Sequence, residues 1–190
     1  CALPIFDSAR DALAMALITQ NKSVNDKSTA DLAAAQAKLT TLMPNIKAII
    51  ADEIKMYMAQ NEAAIAVTYS GEASQAMGNN SHLHYVVPSE GSNLWFDNIV
   101  MPKTAKHKAA AYAFLNFMSE PKNAAQNATY VGYATPNKRA MPFLSEAVRH
   151  DKQFYPDKKT LDNLQVYDDL GQRWTEKYND AFLEFKMSQR

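Results

Sequence analysis

An α/β fold is what this 190-residue chain predicts, on three observations. Short apolar runs bounded by turn residues alternate with amphipathic helical stretches, the pattern of strands interleaved with helices in a mixed or mainly parallel sheet. Hydrophobic residues make up 47% and charged residues 21%, ordinary for a chain that buries a core. No internal repeat, low-complexity tract or block of like charge interrupts the order. The length suits one domain or a small two-lobed unit.

Taken in order, Asp7 to Gln20 reads as a helix, with Ala9, Leu13, Ala16 and Leu17 on one stripe. Asp7 or Ser8 caps its free amides, and Asp11 in the first turn suits the helix dipole. Ser28-Thr29-Ala30-Asp31 resembles a capping box and opens an Ala-rich helix that Pro44 stops. Ile46 to Ile50 is a short strand, and Ala51 to Gln60 is helical. Ala63 to Tyr69 reads as a buried strand, followed at Ser70-Gly71-Glu72 by a short helix to Met77. Leu83 to Val87 is a strand ended by Pro88, and a further strand runs from Asn93 to Met101. A strong helix ends at Met118, with Phe114 and Phe117 on its apolar stripe. Pro121 opens the next helix and Gly132 stops it. Short helical pieces fill Pro142 to Pro156, Lys158 to Leu164 is a short helix or loop, and Asp168 to Lys186 is the last long helix.

Charge excludes some partners. Lys+Arg and Asp+Glu are both 20, so the formal net charge is zero and nothing draws nucleic acid or an anionic membrane. No apolar run is long enough to span a bilayer, and no leader is visible. The single cysteine, Cys1, forms no internal disulfide or cysteine metal site. It is either a lipid attachment point or a start within a longer chain; the residues after it, which look like the middle of a protein, favour the second.

The common catalytic constellations are missing. Five glycines leave no dinucleotide fingerprint or phosphate loop. His82 and His84 alternate, yet surface histidines are the plainer reading, and His107 and His150 have no patterned partners. No nucleophile elbow or zinc-protease helix appears. No catalytic residue, metal ligand or cofactor is assigned, and an enzyme is the weaker class.

What stands out is aromatic residues beside turns and acids: Tyr69 before Ser70-Gly71-Glu72, Trp95 two residues from Asp97, Tyr133 after Gly132, and Tyr167 before Asp168-Asp169. In a strand, Trp95 and Asp97 share a face. An acid beside an aromatic face is a seat for an organic cation, through the ring quadrupole and the carboxylate charge. The alternative is a core strand with Asp97 opening a turn, and half-buried tyrosines elsewhere.

The order of several segments carries a resemblance. Tyr85-Val86-Val87-Pro88-Ser89-Glu90-Gly91, Leu94-Trp95-Phe96-Asp97-Asn98-Ile99-Val100-Met101-Pro102, Phe114-Leu115-Asn116-Phe117-Met118, Pro121-Lys122-Asn123-Ala124-Ala125 and Val131-Gly132-Tyr133-Ala134-Thr135-Pro136-Asn137 follow one another. Phe154-Tyr155-Pro156-Asp157 and Asp7-Ser8-Ala9-Arg10-Asp11 fit as well. Together they resemble the spermidine/putrescine-binding proteins of polyamine ABC importers. The resemblance implies a type II periplasmic-binding-protein fold of two α/β lobes closing on a polyamine, with aromatics around the methylene chain and acids on the ammonium groups. It implies an exported protein, in the periplasm or on the outer face of the cell membrane, working with a membrane permease.

Position by position, Trp95 and Asp97 match the family's aromatic and its amine-binding aspartate, and Tyr133 matches a tyrosine in the site. Tyr69 stands where members often have Trp, and Asp11 stands at an amine-pairing Glu. Ser8 falls where some have an additional Asp, and Tyr167 about where some have Gln, which leaves the choice among polyamines open. The match covers the C-terminal part of a member. Residues 1–95 and 138–190 then form most of the second lobe, and 96–137 a crossover and helical excursion from the first. Phe114 and Phe117 would expose apolar surface there, which a second copy would bury, and the fragment alone would bind polyamine poorly. Two other readings stay open: a same-fold binding protein for another small amine or amino acid, and an enzyme on a similar scaffold.

Overall fold

A computed structural model of the chain describes residues 3–188. Cys1, read above for lipid attachment, lies outside the described residues. In chain order the elements are β1 (Leu3–Phe6), α1 (Ala9–Ile18), α2 (Thr29–Leu42), a 3₁₀ turn (Met43–Asn45), β2 (Ile46–Ile50), α3 (Ile54–Ala59), α4 (Ser70–Asn79) and β3 (Ser92–Leu94). They continue with α5 (Lys108–Ser119), α6 (Pro121–Val131), a 3₁₀ segment (Lys138–Phe143), α7 (Glu146–Arg149), α8 (Lys158–Leu161), β4 (Leu164–Val166) and α9 (Gln172–Met187). The chain divides into two compact units, residues 1–95 with 158–190, and residues 96–157.

In the first unit, β1 pairs in parallel with β2, and β3 in parallel with β4. β1 is an apolar run, Leu3-Pro4-Ile5-Phe6, buried on both faces as parallel strands are. Sequence reasoning missed it, because Pro4 lacks a ladder donor and argues against a strand; the register shifts between Leu3 and Pro4. α1, α2 and α9 pack around the core: Leu13, Leu17, Leu39 and Phe185 are at most 1% exposed. Ser8 and Ser28 cap α1 and α2, each hydroxyl accepting from the amide three residues on, of Asp11 and Asp31.

Three expected strands are absent or cut short. Residues 63–69 run beside β1, where the Val67 amide donates to the Pro4 carbonyl at 3.2 Å, but form no ladder. Residues 83–87 form none, and the strand through Trp95 and Asp97 stops at Leu94. The reason is common to all three: extended backbone becomes a strand when a neighbour supplies the ladder, and among the described residues none does so here. Face-sharing by alternation therefore does not apply to Trp95 and Asp97. β4 begins at Leu164, where the stretch expected as helix or loop ends, and forms because β3 supplies that neighbour.

In the second unit, α6 starts on Pro121 and ends on Gly132, which takes the left-handed conformation at φ 76°. Ala125 and Ala128 of α6 bury against Ala140 and Leu144. Residues 138–157 thus belong to this unit, where a return to the first had been expected at 138. α5 buries no residue, and Phe114 and Phe117 are 54% and 56% exposed.

Candidate functional site

The carboxyl ends of the first unit's strands converge on one acid. β1 ends at Phe6 and leads through the Ser8 cap into the first turn of α1, which carries Asp11. In open α/β sheets ligands sit at this end of the strands. Asp11 is half-buried and accepts three hydrogen bonds from neutral donors. The Tyr69 hydroxyl donates to Oδ2 at 2.6 Å, the Tyr167 hydroxyl to Oδ1 at 2.8 Å, and the Asn93 amide to Oδ1 at 3.3 Å. Among the described residues, no lysine, arginine or histidine comes within ion-pair distance of this carboxylate.

Paired strands deliver two of the donors. Asn93 lies on β3 opposite Gln165 of β4, and Tyr167 follows Val166, which faces Leu94. Gly91 makes that pairing feasible: a β-carbon there would sit 2.7 Å from the Asn163 carbonyl oxygen, and its φ of 114° disfavours side chains. Tyr69 precedes α4, and its ring lies 4.0 Å from that of Phe6 and 5.5 Å, edge-on, from that of Trp95. A short aromatic wall thus flanks the acid.

Behind Tyr167 lies Arg10. Its guanidinium sits 4.4 Å from the Tyr167 ring centre and 5.3 Å from that of Tyr178. It donates to Asn25 Oδ1 at 2.8 Å and to the Val24 and Asp168 carbonyls at 3.3 Å. Burial pushes the Tyr167 phenol far above the usual tyrosine range, the Asp11 charge and hydrogen bond add to this, and Arg10 opposes it. Tyr167 is therefore a neutral donor.

Four of the residues singled out from sequence, Asp11, Tyr69, Trp95 and Tyr167, come together in the first unit. Ser8 stands beside them as the cap of α1. Asp97, exposed, and Tyr133, half-buried, belong to the second unit. Phe6, Asn93 and the anchoring role of Arg10 were missed. Arg10 stood in a quoted motif, but nothing local to Phe6 or Asn93 signals a site. Among the described residues, no group of three His, Cys, Asp or Glu side chains is placed to hold a metal ion, and no helix is long and apolar enough to cross a membrane.

Chemically, a carboxylate that accepts from phenols and an amide and is bordered by rings suits a cation with an apolar body. Comparison with known proteins identifies the relatives of the chain. The chain is 34% identical over 170 residues to the spermidine/putrescine-binding periplasmic protein of Escherichia coli, covering 90% of this chain and 49% of that one. The solved structure of the spermidine/putrescine transporter substrate-binding protein PotD from Streptococcus pneumoniae shares 53% identity at TM-score 0.87, over 99% of this chain and 58% of that one. A structure described as a putative spermidine/putrescine ABC transporter from Listeria monocytogenes shares 51% at TM-score 0.92, over 97% and 57%. The chain thus spans about half the length of these relatives. Its helices and small parallel sheets are a partial periplasmic-binding-protein fold. The model of the bacterial extracellular solute-binding proteins matches residues 4–156, four-fifths of the chain, and the chain belongs to that family.

Proposed function

We propose that this chain is part of an extracytoplasmic solute-binding protein that captures a polyamine, of the spermidine and putrescine class, and hands it to an ABC permease. The observation that carries the reading is Asp11: a partly buried carboxylate, held by three neutral donors within an aromatic wall, with no cationic side chain among the described residues within ion-pair distance. An ammonium supplies the missing charge, and the rings of Tyr69 and Trp95 cover its methylene chain. The names of the relatives support the ligand class and a location outside the cytoplasmic membrane. They are solute-binding proteins, and capture without turnover is the role proposed here.

Within this reading the first unit corresponds to most of the second lobe. Asp97 and Tyr133 keep the roles that the resemblance assigns them, as an amine-binding acid and a ring of the site; Ser8 is retained as a neutral neighbour of the Asp11 end. The test is calorimetry on a polypeptide spanning the full length of the relatives. Putrescine or spermidine binds at micromolar concentration or below, and arginine and glutamate do not. Asp97→Asn weakens binding severely, because it removes the partner of a partly desolvated ammonium. Preference for an amino acid overturns the ligand class; unchanged affinity in Asp97→Asn removes that residue from the site.

A further inference from the structure

We propose that Tyr167 makes the Asp11 end of the site selective for a primary ammonium over a guanidinium. The inference rests on the reading above, in which one end of a polyamine reaches Asp11. A carboxylate offers about four lone-pair positions on its two oxygens. Oδ1 accepts from Tyr167 at 2.8 Å and from Asn93 at 3.3 Å, and Oδ2 accepts from Tyr69 at 2.6 Å. The described residues therefore leave one acceptor position, on Oδ2.

The two kinds of cation use a carboxylate differently. A guanidinium is a planar fork that grips both oxygens through two parallel N–H bonds. With Oδ1 already carrying two donors, the fork meets a single oxygen. A primary ammonium is a compact charge with three rotatable donors, and one acceptor position serves it.

Tyr167 does not yield Oδ1 easily. Its ring rests against the Arg10 guanidinium, which Asn25 and the Val24 and Asp168 carbonyls hold in place. The preceding residue, Val166, sits in the β3–β4 ladder, and its carbonyl accepts from the Asn25 amide at 2.8 Å. Asn25 thus ties the arginine and the strand end together, and swinging the phenol away disturbs both.

The test uses the full-length polypeptide, with spermidine binding measured first, then putrescine against 1,4-diguanidinobutane, which keeps the four-carbon spacer and replaces both amines with guanidinium groups. The wild type binds putrescine about tenfold or more tightly, the scale of one hydrogen bond to a charged group. Tyr167→Phe keeps the ring against Arg10, removes the hydroxyl and narrows that ratio severalfold by improving the guanidine ligand. A purely structural role for Tyr167 weakens both ligands alike and leaves the ratio unmoved. Equal affinities in the wild type, or an unchanged ratio in Tyr167→Phe while spermidine still binds, overturn the inference alone. Failure of every amine to bind the wild type overturns the polyamine reading, and this inference with it.

Discussion

Asp11 is where a single side chain bears most on function. Replacing it with Asn keeps the shape and removes the charge, so the tyrosine hydroxyls lose a strong acceptor and an ammonium loses its partner. A hydrogen bond to a charged group contributes about 1.5–3 kcal/mol, so Asp11→Asn in the full-length polypeptide should weaken putrescine binding roughly 10- to 100-fold. Calorimetry measures this, and affinity within twofold of wild type would remove Asp11 from the site. The phenols nearby make a pH prediction. Tyr167 and Tyr178 both have folded-state pKa values raised above the ordinary tyrosine value, by burial first. A raised pKa means that the folded protein retains the proton after the unfolded chain has lost it. Their contribution is fully present below the ordinary tyrosine pKa of about 10 and falls away as pH rises beyond it. Tm should drop by a few degrees between about pH 9 and pH 11, and Tyr178→Phe should flatten that drop. Tyr69, Trp95 and Tyr167 were legible in the sequence because an acid or turn beside an aromatic is a local feature, whereas Asp11 was singled out through the family resemblance alone. Phe6 and Asn93 were not, because their proximity to these residues arises from chain segments far apart in sequence.

Helix ends were the most legible elements, since a cap acts within a few residues. Ser8, Ser28, Pro121 and Gly132 all stand where the sequence placed a start or a stop. Ser28→Ala should cost about 1 kcal/mol, read as a lower denaturation midpoint, because it leaves the Asp31 amide without its acceptor. Strands behaved differently. Asn93 to Met101 reads as one strand, yet the ladder covers three residues, Ser92–Leu94, and depends on β4 and on Gly91. Gly91→Ala should therefore destabilise the first unit by about 1–3 kcal/mol, through a positive φ and a close backbone approach. Gly78 offers the contrast: it lies in α4, a β-carbon there meets nothing within 4 Å, and Gly78→Ala should gain about 0.5 kcal/mol. Equal effects of the two substitutions on the denaturation midpoint would defeat the argument from Gly91.

Taken entire, the chain pairs a unit with a well-buried core and a smaller one whose longest helix, α5, buries none of its side chains. Tyr112, Phe114 and Phe117 are each more than half exposed, and Ile99 and Val100 are 62% and 79% exposed. Apolar surface of this kind drives association. The 190-residue chain by itself is expected to associate with a second copy, seen as a sedimentation coefficient that rises with concentration; one monomer value across the range overturns this. Local chemistry in the sequence was enough to establish the long helices, their caps and the α/β class, because each depends on residues a turn or two apart. Which apolar runs became strands, and the gathering of Tyr69, Asn93 and Tyr167 on one carboxylate, were settled by folding. A ladder needs a partner strand, and the donors that solvate Asp11 come from positions 58, 82 and 156 residues away along the chain.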